Sequence, residues 1–422
     1  MPALSTIDLG RSPLPVRLFN AGAALAGKIF GSDHALQADD LIRQAQRRTR
    51  LEDFGGEEFR EPLTHLLDSC YRDAQLNAIG KLALRADVLR HLENRLHLQR
   101  DRTEFPEIAQ QEVRAPLFIV GLPRSGTTLL HSLLAADPEH RAPLTWEVME
   151  PSPPTRQDEH GRIRRAQKNL AWLRRLAPTF PQVHALGAEL PQECVSLMSV
   201  SFMSDQFDTM FNVPSYRAWF FQRDLTPAYV WHRRFLQQLQ QRRSAARWIL
   251  KAPAHMFALP TLLSVYPDAC FVQAHRAPLE TIASVSSLIT ILRRVFSDDV
   301  DAAQIGRDAL HYWHETLTEF LREREALPAE RIFDLSYLEI RRDPVAAVRS
   351  VYEHFGWNFS HQAETRMRTV LANQPSEEHG QHHYELAQFG LDAVDAAELF
   401  APYCEQFDLF PHAVDRAGER AA

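Results

Sequence analysis

Leu117-Phe-Ile-Val-Gly-Leu-Pro-Arg-Ser-Gly-Thr-Thr128 is the stretch that decides the fold. Its first four residues are apolar and mostly β-favouring, Gly121, Pro123 and Gly126 make a turn, and apolar residues then recur at helical spacing from Thr127 to Leu134. The order is strand, loop, helix. Gly121 and Gly126 stand at the GxxxxG spacing of a phosphate loop, whose backbone N–H groups and following helix N-terminus form an anion cradle. Arg124, Ser125, Thr127 and Thr128 place further donors where the phosphate would sit. A kinase or nucleotide triphosphatase needs Lys at position 127 for the terminal phosphates and a hydroxyl at 128 for magnesium; here Thr127 occupies the first position and the cation is Arg124, inside the loop. The loop therefore suits a nucleotide with a 5′-phosphate and argues against ATP or GTP chemistry.

Outward from the loop, strand signals return at Trp248–Lys251, Cys270–Gln273 and Ile332–Leu335, separated by helical patterns over 256–265, 279–295 and 303–327. Alternation at these lengths predicts an α/β fold: a P-loop-type parallel β-sheet flanked by helices. Before it, from Ala38 to Gln99, apolar residues recur at helical spacing with a break at Gly55-Gly56, giving an all-helical N-terminal region over 1–114. The α/β unit then covers 115–360, with a helical insertion at about 150–246, and an extension over 361–422 packs on it. That extension is mixed, with His379, His382 and His383 in a polar stretch and a helical pattern over 396–407. Val16 to Phe30 reads as an amphipathic helix with Arg17 and Lys28 on its wet side, docked on the protein's own body, with contact at a membrane surface as the alternative.

The 422 residues are 45% hydrophobic and 24% charged, the balance of a soluble globular chain, and a net charge of −7 speaks against general affinity for nucleic acid or anionic membrane. Any anion site must be built by position. Cys70, Cys194, Cys270 and Cys404 are far apart with no CxxC pair, which suits a reducing cytoplasm and suggests neither a disulfide framework nor a zinc cluster. No run reaches the roughly 18–20 apolar residues of a spanning helix. A homo-oligomer is compatible with the sequence, which does not specify one.

The run FIVGLPRSGTTLLHSLL, residues 118–134, resembles the 5′-phosphosulfate loop of sulfotransferases that use PAPS (3′-phosphoadenosine 5′-phosphosulfate), usually written PKSGTT, with Arg124 in the lysine position. Arg276 ends a strand and Ser284 lies eight residues on in the next helix, the interval of that family's 3′-phosphate motif. Tyr337, in Tyr337-Leu-Glu339, is similar to the family's YExL tyrosine near the adenine or 3′-phosphate. The resemblance covers roughly residues 116–357 and departs at Leu129, where a tryptophan usually packs on adenine, and in lacking an RKGxxGxWK segment. It implies transfer of a sulfonate from PAPS to an acceptor hydroxyl by in-line displacement, with no metal required.

Such a reaction needs a base for the acceptor proton and cations for the leaving phosphate. His255, in a Lys251-Ala-Pro-Ala-His255 element of the kind many family members carry, is the expected base, and Glu147 the runner-up, unless it only orients Arg124 or Lys251. Lys251 and Arg124 are the expected cations. The methionine- and aromatic-rich segment Leu197–Phe221 is either core or a cap over an apolar, lipid-like or polyketide-like alcohol, in which case Phe207, Phe211 and Trp219 line a tunnel beside His255. Two other readings are a P-loop kinase with an atypical loop and a non-catalytic nucleotide-binding relative.

Overall fold

The computed structural model describes residues 13–30, 36–244, 246–373 and 386–409. Its centre is a set of short strands: β1 (Leu117–Gly121), β2 (His140–Arg141), β3 (Arg247–Lys251), β4 (Cys270–His275) and β5 (Ile332–Ser336). They form one parallel sheet in the order β2-β3-β1-β4-β5. β1 is buried along its whole length, as an unbroken apolar run in a sheet covered on both faces must be.

The two-residue period of a strand divides β1 between two cores. Leu117 and Ile119 join Ile249, Val272 and Leu335 beneath the helices Thr127–Ala135, Pro344–His354 and His361–Asn373. Phe118 and Val120 point the other way, with Trp248, Leu250 and Phe271, into a larger core that takes in the helices Ala78–Glu104, Thr226–Arg242, Leu259–Val265 and Pro278–Phe296. Each such side chain contributes about 1.5–3 kcal/mol by leaving water.

The α/β class and the flanking helices agree with the sequence reading, and differences arise at the margins. β2 is too short to leave a periodic signal. The helix expected over 256–265 is split into a 3-10 turn at Pro253–Phe257 and a helix at Leu259–Val265; Pro260, lacking an N–H, sits in the first turn of the second piece, where no intrahelical partner is needed. The mixed extension contributes His361–Asn373 and Ala393–Gln406, while His379, His382 and His383 lie outside the described residues.

The N-terminal helices share the larger core. Arg95, fully buried, is sandwiched between Phe59 and Trp231 and donates to the Phe54 carbonyl, tying this region to the insertion. The helix Leu14–Phe30 touches the body, in line with the docked reading, through buried Asn20, which accepts from the Ile79 N–H at 3.1 Å, while Leu14, Leu18, Phe19 and Leu25 remain exposed. Arg17 is exposed as expected, and the Lys28 side chain lies outside the described residues. Among the described residues no helix is long and apolar enough to cross a membrane.

Candidate active site

At the carboxyl end of β1 the chain must turn sharply under its neighbour strand. Gly121 has φ +133° and pairs with Ala274 of β4, so a Cβ there would collide with the Ala274 carbonyl oxygen. Gly126, at φ +90°, backs onto Tyr337 and Ile340, where a Cβ would meet both at 3.2 Å. Between them Arg124 also takes a left-handed conformation, φ +70°, a local strain typical of ligand-holding turns. Ser125 is fully buried and its hydroxyl donates to the Leu122 carbonyl at 2.7 Å, so that side chain ties the turn together. The helix Thr127–Ala135 starts at once, leaving its first N–H groups without intrahelical partners and directed at the loop.

The distant motif residues converge on this turn. Arg124 Nε donates to Ser284 Oγ at 3.2 Å. Arg276 donates to the Arg124 carbonyl at 2.7 Å, lies 4.0 Å over the Tyr337 ring, and pairs with Glu280 at 2.7 Å. Arg124, Arg276, Ser284 and Tyr337, separated by more than two hundred residues between first and last in the sequence, thus surround one loop because β1, β4 and β5 are adjacent and parallel.

Lys251 reaches the loop from the other side, at the end of β3. Its ammonium lies 3.4 Å from Thr128 Oγ1 and forms a close ion pair with Glu193, a residue the sequence reading did not single out. Burial alone would push the Glu193 carboxyl up, but Lys251 and then His184 outweigh it and hold the carboxyl well below the usual range. His184 Nε2 is 3.8 Å from the same carboxylate oxygen.

Both sequence candidates for the base are displaced. Ala252 continues extended from β3, but Pro253 opens the 3-10 turn that carries His255 into the larger core. There His255 is fully buried, its Nδ1 2.9 Å from the Tyr229 hydroxyl and its ring edge-on to Phe118 at 4.9 Å. Burial, and then neighbouring His232, keep its imidazole neutral, far below the usual range. It does not line the cavity beside the loop. Glu147 is also buried, but its partners are Arg141 at 2.6 Å and Arg242 at 3.5 Å, with the Leu144 N–H at 3.1 Å, rather than Arg124 or Lys251. That carboxylate pins the β2 edge.

A cavity of about 410 Å³ opens beside Arg124, Thr127, Thr128, Lys251 and Glu193. Its apolar walls come from Val285, Leu288, Ile289, Leu292 and Phe296 of one helix, with Leu170, Leu173 and Phe180 of the insertion. The segment Leu197–Phe221 lines the cavity mainly with polar side chains, Asp205, Gln206, Asp208, Thr209 and Arg217. Phe207 and Phe211 are core, Trp219 stacks on His65 at 4.6 Å, and among the segment's apolar side chains Met210 reaches the cavity. The tunnel beside His255 is therefore absent from the described residues, and the apolar character of the cavity has another origin. A second cavity, of about 700 Å³, meets the first at Thr128, His184, Glu193 and Lys251 and is bordered by Arg141, Arg243 and Arg366.

A phosphate loop with cations around it thus stands at the carboxyl edge of a parallel sheet, where folds of this kind hold their ligands, and opens onto a cavity with apolar walls. The Sulfotransferase family matches residues 116–361, and the chain belongs to it. Over 275 residues, 61% of this chain and 67% of the relative, it is 28% identical to the omega-hydroxy-beta-dihydromenaquinone-9 sulfotransferase Stf3 of Mycobacterium bovis, and equally to that of Mycobacterium tuberculosis. Among solved structures it is similar to sulfotransferase STF1 from Mycobacterium tuberculosis, with 32% identity, TM-score 0.77, and 87% of this chain and 99% of that one covered. Sulfotransferase STF9 from Mycobacterium avium superposes at TM-score 0.81 with 28% identity over 90% of this chain and 99% of that one. The resemblance read from the loop and the Arg276–Ser284 interval holds at the level of the family, and the kinase alternative falls away.

Proposed function

We propose that this protein transfers a sulfonate from PAPS to the hydroxyl of an apolar, lipid-like alcohol. The observation that carries this reading is the gathering of Arg124, Arg276, Ser284 and Tyr337 around one phosphate loop, with Lys251 between that loop and an apolar cavity. The loop N–H groups and Arg124 hold the 5′-phosphosulfate. Arg276 leaves Glu280 to fork onto the 3′-phosphate, which Ser284 also reaches, and Tyr337 packs against the nucleoside. The acceptor oxygen attacks sulfur in line, and Lys251 stabilises charge on the departing phosphate oxygen. No step assigned to these residues calls for a metal. The cavity is within the range of about 300–1,000 Å³ that takes a small-molecule ligand, and the lipid alcohol named for the Stf3 relatives supports an acceptor with an apolar body. Four unpaired cysteines fit a reducing compartment, the cytoplasm.

The donor half is tested by calorimetric titration with adenosine 3′,5′-bisphosphate, 5′-AMP and ATP. The bisphosphate should bind most tightly, since Arg276 and Ser284 have a phosphate to meet in that nucleotide alone. ATP binding as tightly as the bisphosphate would overturn the assignment.

A further inference from the structure

We propose that His184, set against Glu193 where the two cavities meet, is the general base that takes the acceptor's proton; the inference rests on the sulfonate-transfer reading above. Four groups compete for the role. His255 is sealed in the core and Glu147 is clamped by two arginines. His131 is buried with its Nε2 on the Ile249 carbonyl at 3.2 Å, and burial followed by Lys251 pulls its imidazole down to about 3. Glu193 is in the right place, but the ammonium that holds it ionised also removes its basicity. Among the described residues lining the apolar cavity, His184 is the one imidazole.

Its geometry is that of a base. A carbonyl oxygen can only accept, so the 2.9 Å contact between His184 Nδ1 and the Ala185 carbonyl fixes the ring proton on Nδ1. In the neutral ring Nε2 then carries the lone pair, and it is Nε2 that faces the cavity junction, 3.8 Å from Glu193 Oε1. That gap is too long for a hydrogen bond yet short enough for an ion pair once Nε2 is protonated. Phe180 stacks on the ring at 5.6 Å and holds its plane. The side chain keeps 33% exposure, so the ring can be reached and the proton can leave.

The acceptor O–H bond breaks as its oxygen forms a bond to sulfur. The bond between sulfur and the 5′-phosphate oxygen breaks with its electron pair going to the phosphate, which leaves as adenosine 3′,5′-bisphosphate. The proton goes to His184 Nε2 and thence to water when products depart. Glu193 acts through His184 and Lys251 and is a positioning residue: it stabilises the imidazolium that forms and aims the ammonium. Glu193 faces the ring directly, with Lys251 behind it.

The test uses the full chain with PAPS and a panel of primary alcohols from hexanol to farnesol, alongside titration with adenosine 3′,5′-bisphosphate. His184→Ala should lose about 10²–10⁴ in kcat, keep its bisphosphate affinity, and regain part of its rate with added imidazole. Glu193→Gln removes the carboxylate set against the imidazolium that forms and should lower kcat while leaving KM for PAPS and bisphosphate affinity unchanged. His184→Ala turning over within about threefold of wild type, an inactive His184→Ala that imidazole does not rescue, or a loss of bisphosphate binding in that variant each overturn the proposal. Wild-type protein that binds the bisphosphate but sulfonates none of the alcohols overturns the transfer reading itself, and the base falls with it. Transfer by wild type with an active His184→Ala overturns the base alone.

Discussion

Replacing Lys251 by Met separates what the Lys251–Glu193 pair does for the fold from what it does for the reaction. The Lys251 side chain is 4% exposed and that of Glu193 23%, so the substitution leaves a mostly buried carboxylate without its counter-charge. Removing one partner of a fully buried pair costs about 3–5 kcal/mol; the partial exposure of Glu193 and the cavity beside it bring this to about 2–3 kcal/mol. With an unfolding entropy of about 2.1 cal/mol/K per residue over the 422 residues, each kcal/mol moves Tm by about 1 °C, so Lys251→Met should melt about 2–3 °C lower. The sign also depends on pH. Glu193 has its folded-state pKa depressed, so the pair's stabilisation is present above the ordinary carboxylate pKa and is lost as pH falls through the depressed one. The gap between the two proteins should accordingly narrow in acid. Adding Glu193→Gln to Lys251→Met removes the stranded charge and should recover most of the Tm. It should not recover kcat, which falls about 10²–10³-fold when a positioned charge donor to a leaving oxygen is lost. Calorimetric melts and PAPS turnover measured on the same preparations decide the matter. A Lys251→Met variant melting with wild type refutes the stability half, and wild-type kcat in either variant refutes the catalytic half.

Arg276→Ala should cost about 1.5–3 kcal/mol of affinity for adenosine 3′,5′-bisphosphate and leave 5′-AMP affinity unchanged in calorimetry; equal losses for both nucleotides would place Arg276 elsewhere. Gly121→Ala, forcing a side chain into the Ala274 carbonyl at a left-handed φ, should lower Tm and abolish bisphosphate binding, and wild-type values for both would contradict the loop geometry. His255→Ala should destabilise by about 2–4 kcal/mol, as a buried large-to-small change, while kcat of the folded protein stays within about threefold; a collapse of kcat with binding intact would return the imidazole to the chemistry.

The sequence made the loop legible because its parts are contiguous: a buried strand, two glycines and a helix start leave little freedom in twelve residues. Arg276, Ser284 and Tyr337 were readable because parallel strands deliver their carboxyl ends to one edge. His255 was misplaced for a related reason. Proximity to Lys251 in sequence says nothing about direction, and the turn opened by Pro253 reverses it toward Phe118. Glu193 was missed because its contact with Lys251 spans 58 residues and Leu190-Pro-Gln-Glu193 carries no local pattern. His184 is likewise placed by the insertion packing across the loop. The Leu197–Phe221 segment took the core alternative at Phe207 and Phe211, and the apolar cavity wall comes from positions 285–296, which read only as a helical pattern.

The central claim is tested most directly by incubating the purified chain with sulfur-labelled PAPS and a panel of hydroxylated lipids, then following label and mass together. One equivalent of labelled sulfonate should appear on an apolar alcohol for each adenosine 3′,5′-bisphosphate released, with Lys251→Met slower by about 10²–10³-fold. Release of bisphosphate and free sulfate with no labelled alcohol, or no consumption of PAPS at all, would contradict it.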